Sequence, residues 1–371
     1  MPSRLSRIRR VTDQAEALGL PPVSVEWEWV SSARLRDLAA LDGLPRRYGH
    51  WTFGQARMQP SPTILELVTY GDPIIASLDA DLDPTTTTLV IAHVLGHAAL
   101  FAHHPAFQHP AANGRQISQD LAATVHRLRM HQGEAATEAL LDALHVLAAC
   151  PVRRGSDPDP LTYVLHTGIL PDALHRLAQG FDRERAYFAP IAATKLLHEG
   201  WATFWHRRIL LALTLGTPAF GTFLQYHARI LATPPHRIQP YALGDALIRA
   251  AVEHDGEAVF TTLMTQGSDR LLLARYGPSV LPRFFPDDPQ AAGLAALRLA
   301  DDPVPVITVD SVETQARGVW TLYAQPGRAL DRARTQAAMD LLATHIWRGP
   351  VELHHPDPSE RWHADPVNPS A

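Results

Sequence analysis

A single cysteine, Cys150, stands among 371 residues, so neither an internal disulfide nor a CxxC metal knuckle can form. That excludes a cystine-stapled secreted fold and a zinc ribbon, and it suits a reducing compartment. Lysine is equally scarce: Lys195 is the only one among 33 basic residues, and the arginines fall in scattered pairs such as Arg9-Arg10, Arg153-Arg154 and Arg207-Arg208. With 38 acidic residues and a net charge of −5, the chain has no basic stripe dense enough to track phosphates, so no nucleic-acid partner is expected. Long apolar runs are missing too. The stretch Ile209 to Leu215 is far short of the ~18 to 20 residues a membrane span requires, and the opening MPSRLSRIRRVTDQAEAL has charge but no apolar h-region. The expectation is a cytoplasmic protein without a membrane span. What is present is an ordinary globular composition, 46% hydrophobic and 19% charged, in a chain long enough for one large domain or two smaller ones. The 20 histidines are many, yet a chain rich in Arg, Pro and Ala carries that bias, so position has to decide which of them matter.

Residues 24 to 30, SVEWEWV, alternate Val25, Trp27 and Trp29 against Glu26 and Glu28, the period-two pattern of a half-buried strand, and a short helix over Ser32 to Leu41 is expected to follow. From Pro60 to about Leu299 the pattern reads as helical, punctuated by Pro and Gly. Beyond Asp301-Asp302-Pro303 the segments VPVITVDSV, GVWTLYA and PVELHH read as strands, with an amphipathic helix over Ala329 to Trp347. The fold class expected is mainly α: a helical body over residues 1–300 that opens with a strand and helix, a small α+β subdomain over 301–355, and a frayed polar tail over 356–371.

Three of the helices carry polar groups on an apolar face. In the first, Pro84 to His104, capped by Asp83 and threonines, His93 and His97 stand at i and i+4, so both imidazoles share one face about a turn apart and can reach the same ion. Two core histidines bonded to backbone or carboxylate would satisfy the same pattern. Gly96 between them implies that something approaches the backbone closely, since a mid-helix glycine costs about 1 kcal/mol against alanine. The second helix, Pro190 to Leu215, with Pro190 at its first position, places Glu199 and His206 in an apolar stripe. A carboxylate there is pushed towards its neutral form unless a cation holds it ionised; that cation is a metal or Lys195, one turn earlier. Glu199 and His206 lie roughly 10.5 Å apart along the axis, too far to share one ion, which makes His206 a supporting or catalytic group. His198 is expected to pack with Trp201 and Trp205. The third helix, about Gly133 to Ala149, sets out Glu138, Asp142 and His145; Asp142 and His145 form a DxxH pair in which the carboxylate can fix the imidazole tautomer, or simply an acidic solvent face.

With these residues in place, the sequence resembles the SpoVR family, the stage V sporulation protein R proteins. YGHWTFGQ (Tyr48 to Gln55) is similar to that family's YPHWSFGK, and VIAHVLGH (Val90 to His97) to its AHxxGH segment. LDALH (Leu141 to His145) is similar to LDxCH, with Leu144 in place of cysteine, and TKLLHEGWATFWH (Thr194 to His206) to TKxMNEGWAxxWH, with His198 in place of asparagine. QPYALG (Gln239 to Gly244) resembles NPYxLG, and Arg328 to Leu353 resembles the family's C-terminal region. The resemblance implies an association with spore cortex formation or, in bacteria that do not sporulate, with stress and cell-envelope physiology, from the cytoplasm. HEGWATF is also similar to the NEGFASY segment of gluzincin metallopeptidases, whose glutamate is the third zinc ligand after the two histidines of HExxH. Here the order is His93, His97, Glu199, but Val94 occupies the place of the glutamate that serves as general base.

The expected site is therefore an internal, gluzincin-like divalent metal centre ligated by His93, His97, Glu199 and His145, with Asp142 and Lys195 supporting the ligands and Glu138 or His206 handling the proton. Zinc is the first choice, and iron or manganese would also suit a mixture of imidazole and carboxylate. Two functions follow: metal-dependent hydrolysis of an amide-type bond, or a regulatory scaffold that binds a cytoplasmic protein partner controlling wall-modifying enzymes.

Overall fold

The computed structural model describes residues 3–42, 65–108, 113–152, 156–232, 239–288, 306–325 and 330–367. The YGHWTFGQ motif at 48–55 lies outside them. Among the described residues are fourteen α-helices and two small sheets, so the fold is mainly α. In chain order the elements begin α1 (Arg4–Ala17), β1 (Val25–Val30), α2 (Ser32–Asp42), β2 (Glu66–Thr69), β3 (Ile74–Asp79), α3 (Pro84–His103), α4 (Gly114–Gln132) and α5 (Glu134–Ala148). They continue as α6 (Pro160–Thr167), α7 (Asp172–Ala193), α8 (Lys195–Ala212), α9 (Thr217–Leu231), α10 (Pro240–Asp255), α11 (Val259–Gln266) and α12 (Asp269–Phe284). The last are β4 (Ile307–Val309), α13 (Ser311–Arg317), β5 (Trp320–Ala324), α14 (Arg332–Leu341), β6 (Val351–His354) and β7 (Arg361–Ala364).

Two compact units emerge. The first takes its described residues from Met1–Gly43, Ser61–Gly114 and Pro190–Asp301, the second from Arg115–Ala189 and Asp302–Ala371. In the first unit β1 runs parallel to β3 and β2 antiparallel to it, in the order β1-β3-β2. The expected strand over SVEWEWV is there, with Val25, Trp27 and Trp29 packed on the core. β2 and β3 correct the reading of an unbroken helical body from Pro60 onwards. β3, the central strand, is buried at every residue, and a strand covered on both faces loses the polar–apolar alternation that distinguishes it from a buried helical turn.

α3 begins where Asp83 accepts hydrogen bonds from the Thr85 and Thr86 amides, with Pro84 at the first helical position. From Leu89 to Phe101 every residue is buried, and each large aliphatic contributes about 1.5–3 kcal/mol on leaving water. By length and composition this helix could cross a membrane, but 83% of its apolar window is buried inside the protein, as a core helix requires.

α8 and α10 complete the centre of this unit by unusually close backbone approach. A Cβ built on Gly96 would stand 2.7 Å from Ala202 Cα, which accounts for the mid-helix glycine that the sequence singles out. One built on Gly200 would fall on the backbone of Gly244, and one on Gly244 on the Leu196 carbonyl. Bare backbone at these crossings lets α8 lie against α3 and α10 together. The start of α8 differs from the expected Pro190, which sits in the last turn of α7. Thr194 gives α8 no side-chain cap; instead Asp269, from the first turn of α12, accepts from the Leu196 and Leu197 amides at 2.9 and 2.8 Å. Loss of this buried cap in Asp269→Ala is expected to cost about 1–2 kcal/mol of unfolding free energy, read from the denaturant midpoint at unchanged m-value.

The second unit holds the expected α5 and a sheet in the order β4-β5-β6-β7. Its first three strands fall within VPVITVDSV, GVWTLYA and PVELHH, and α14 lies within Ala329 to Trp347. β7 adds an antiparallel edge strand that the polar, Pro-rich composition does not announce; Trp362 supplies its buried side chain. Asp159, fully buried, caps α6 through the Leu161 and Thr162 amides and pairs with Arg185 at 2.6 Å, so the charge buried there is hydrogen-bonded on both sides.

Candidate metal centre

Three atoms on two helices of the first unit meet. His93 Nε2 and His97 Nε2 stand 3.1 Å apart, Glu199 Oε2 lies 3.4 Å from His97 Nε2 and 4.0 Å from His93 Nε2, and all three residues are buried. These are the one group of three His, Cys, Asp or Glu among the described residues whose ligand atoms gather within 4.8 Å of one another. The i, i+4 spacing on α3 brings the two imidazoles together; the glycine crossing of α3 with α8 brings the carboxylate to them.

The donor set fits a cation. A triangle with those three sides has its centre about 2.1 Å from each corner, within the range of zinc–nitrogen and zinc–oxygen bonds. Glu199 Oε2 is buried with no hydrogen-bond partner among the described residues, a costly arrangement unless something cationic completes it. The protonation states suit ligation as well. Burial works to raise Glu199, but the Lys195 ammonium and then the His198 ring outweigh it and hold the carboxylate well below its ordinary range. Burial, then the neighbouring His97, pushes His93 down to about 3, so its ring is neutral with a lone pair to give.

Glu199 has two faces. Its Oε2 joins the histidines, while Oε1 accepts from Lys195 Nζ at 2.6 Å, so the simple helical ion pair and the cluster coexist on one carboxylate. His198 packs its ring near His97 and Phe101, and it also faces the second oxygen of Glu199: its Nε2 lies 3.6 Å from Glu199 Oε1 and its Nδ1 3.4 Å from Thr194 Oγ1. Burial depresses His198 to about 4.

Glu66, from the edge strand β2, is a residue that sequence reasoning missed. Its Oε1 lies 3.9 Å from His93 Nε2, outside the three-atom group, and its side chain is 22% exposed, which sets it on the solvent side of the cluster. Burial, and then the charge of Glu199, raises it to about 7. No spacing could have pointed to it: the pairing of β2 with β3 and the packing of β2 on α3 carry it there. His206 is fully buried one helical step beyond, its Nδ1 3.0 Å from His93 Nδ1 and its Nε2 2.8 Å from His227 Nδ1 on α9.

The remaining expected residues lie on α5 in the second unit. Glu138 pairs with Arg129, His145 packs edge-on against Phe181 with ring centroids 4.7 Å apart, and Asp142 stands one turn before His145. None of the three belongs to the gathered group.

A family model described as SpoVR like protein matches residues 3–164 and 172–259, which takes in α3, α5, α8 and α10. The chain belongs to the SpoVR family. A curated relative, the uncharacterized protein YcgB of Escherichia coli (strain K12), is 23% identical over 295 residues, 60% of this chain and 58% of the relative. The chain thus spans less than two thirds of that relative's length. No solved structure matches. Within this SpoVR-family chain, the buried group of His93, His97 and Glu199 could hold a metal ion.

Proposed function

We propose that this SpoVR-family protein holds a divalent metal ion, zinc first, on His93, His97 and Glu199, and uses it to hydrolyse an amide-type bond. The observation that carries the reading is the meeting of two imidazole nitrogens and one buried carboxylate oxygen around a centre about 2.1 Å from each. An ion held there supplies Lewis acidity, polarising a carbonyl oxygen and bringing the acidity of water towards neutrality. The chain's own residues supply the rest. Lys195 orients Glu199 through its second oxygen and leaves Oε2 for the cluster. Val94, fully buried in place of the usual basic glutamate, cannot move a proton, whereas Glu66 stands at the cluster's accessible edge with a carboxylate oxygen free of the ligand triangle. Glu66 is accordingly the group that takes the proton from water, in preference to Glu138 or His206. Family resemblance supports placing the substrate in spore-cortex or cell-envelope metabolism.

A second reading is a metal-stabilised scaffold for a protein partner, favoured by the apolar Val94. One experiment separates the two. Protein purified and equilibrated with zinc is expected to retain about one equivalent by elemental analysis, and to cleave members of a panel of peptide and muropeptide amides. Glu66→Gln is expected to keep the zinc and lower kcat by about a hundredfold or more. Retained zinc without cleavage of any amide supports the scaffold; a folded wild type that takes up no zinc, iron or manganese removes both readings.

A further inference from the structure

Beyond the three ligand atoms, the structure places a row of imidazoles that the reading above does not use. His93 Nδ1 meets His206 Nδ1 at 3.0 Å, and His206 Nε2 meets His227 Nδ1 at 2.8 Å. The row crosses from α3 through α8 to α9, and from the buried cluster to a half-buried residue near Asp245, Arg207 and Arg249. His103, His104 and His166 end on backbone carbonyls of Ala99, Gly267 and Thr162, which can only accept, so one nitrogen of each ring is fixed as a donor, and within the row His93 has a backbone partner in Ala202. His206 has no such anchor: both of its nitrogens face other imidazoles, each able to donate or accept. The polarity of the row is therefore set from its ends.

We propose that His206 and His227 are positioning residues of the metal centre, a tautomer relay that holds His93 with an unprotonated Nε2 towards the cation and transmits the ion's presence to His227. The proposal rests on the metal reading above. Its logic is a count of one proton per neutral ring. A cation on His93 Nε2 requires that nitrogen's lone pair, so the ring proton sits on Nδ1 and donates to His206 Nδ1. His206 then carries its proton on Nε2 and donates to His227 Nδ1, which leaves the His227 proton on Nε2. One assignment satisfies every contact.

Nitrogen-15 spectra of histidine-labelled, zinc-loaded protein test the relay through the shifts that distinguish the two neutral tautomers. Expected are a proton on Nδ1 of His93 and on Nε2 of both His206 and His227. His206→Leu, which keeps the volume and removes the acceptor, is expected to weaken zinc binding by about 10–100-fold, and His206→Asn, whose side-chain oxygen accepts where Nδ1 did, to recover most of that loss. In His227→Leu the His206 proton is expected to stay on Nε2, because His93 still donates to His206 Nδ1. The relay is overturned if His206 in the zinc-loaded wild type carries its proton on Nδ1, or if His206→Leu binds zinc as tightly as wild type. A wild type that binds no zinc, or binds it equally well as Glu199→Gln, instead overturns the metal reading, so the two failures are distinct.

Discussion

Glu199→Gln is expected to weaken zinc binding by at least about a thousandfold, about 4 kcal/mol, while far-UV circular dichroism is kept and the unfolding midpoint of the metal-free protein falls modestly. The substitution keeps the shape of the side chain and removes its charge. A metal site draws its affinity from deprotonated, oriented donors, and Glu199 is the sole anion in the three-atom group. In the metal-free protein Lys195 and His198 hold the carboxylate ionised against the cost of burial, so its neutral replacement gives up a modest part of the stability at neutral pH, while Lys195, 40% exposed at its side chain, is hydrated without it. Isothermal titration with zinc, beside elemental analysis of both proteins, reads the affinity directly. Equal zinc retention by the two proteins is the outcome that dismisses the centre; unfolding of the variant would mean that the Lys195 pair is the carboxylate's main purpose.

Gly200→Ala is expected to be among the most disruptive single-methyl changes in the first unit, costing more than about 4 kcal/mol or preventing folding. The added Cβ would fall on the backbone of Gly244, and neither helix has a flexible side chain there to yield. α8 and α10 would have to separate, taking Glu199 away from His93 and His97. Gly221→Ala in α9 makes the opposite prediction. There the Cβ meets nothing within 4 Å, so helix propensity alone acts and the protein is expected to gain up to about 1 kcal/mol. Chemical denaturation of the two variants side by side gives effects of opposite sign if close backbone approach, rather than glycine content as such, is what the α8–α10 crossing requires.

The legible parts of the site were those carried by a single helix. His93 and His97 are one turn apart on α3 whatever that helix packs against, and the Lys195–Glu199 pair follows from the same rule on α8. Gly96 marked a close approach without naming its partner, Ala202. Glu66 and His227 were illegible for the converse reason: each reaches the cluster from a different element, and neither has a sequence neighbour among the ligands. The ring contacts of His198 agree with its apolar surroundings on α8, whereas its approach to the second oxygen of Glu199 is a side-chain arrangement that composition cannot resolve.

By itself the sequence determined the helical class, the first strand, the strands and helix of the C-terminal region, the capping of α3 and the family, because each depends on local periodicity or on motifs read in order. The tertiary structure alone decided that a central strand hides within the helical stretch, that α8 is capped from α12, and that one carboxylate oxygen closes on two imidazoles as the third donor. Those depend on contacts between residues as far apart as His97 and Glu199. Local propensity carries no information about such distances; packing against bare glycine backbone sets them.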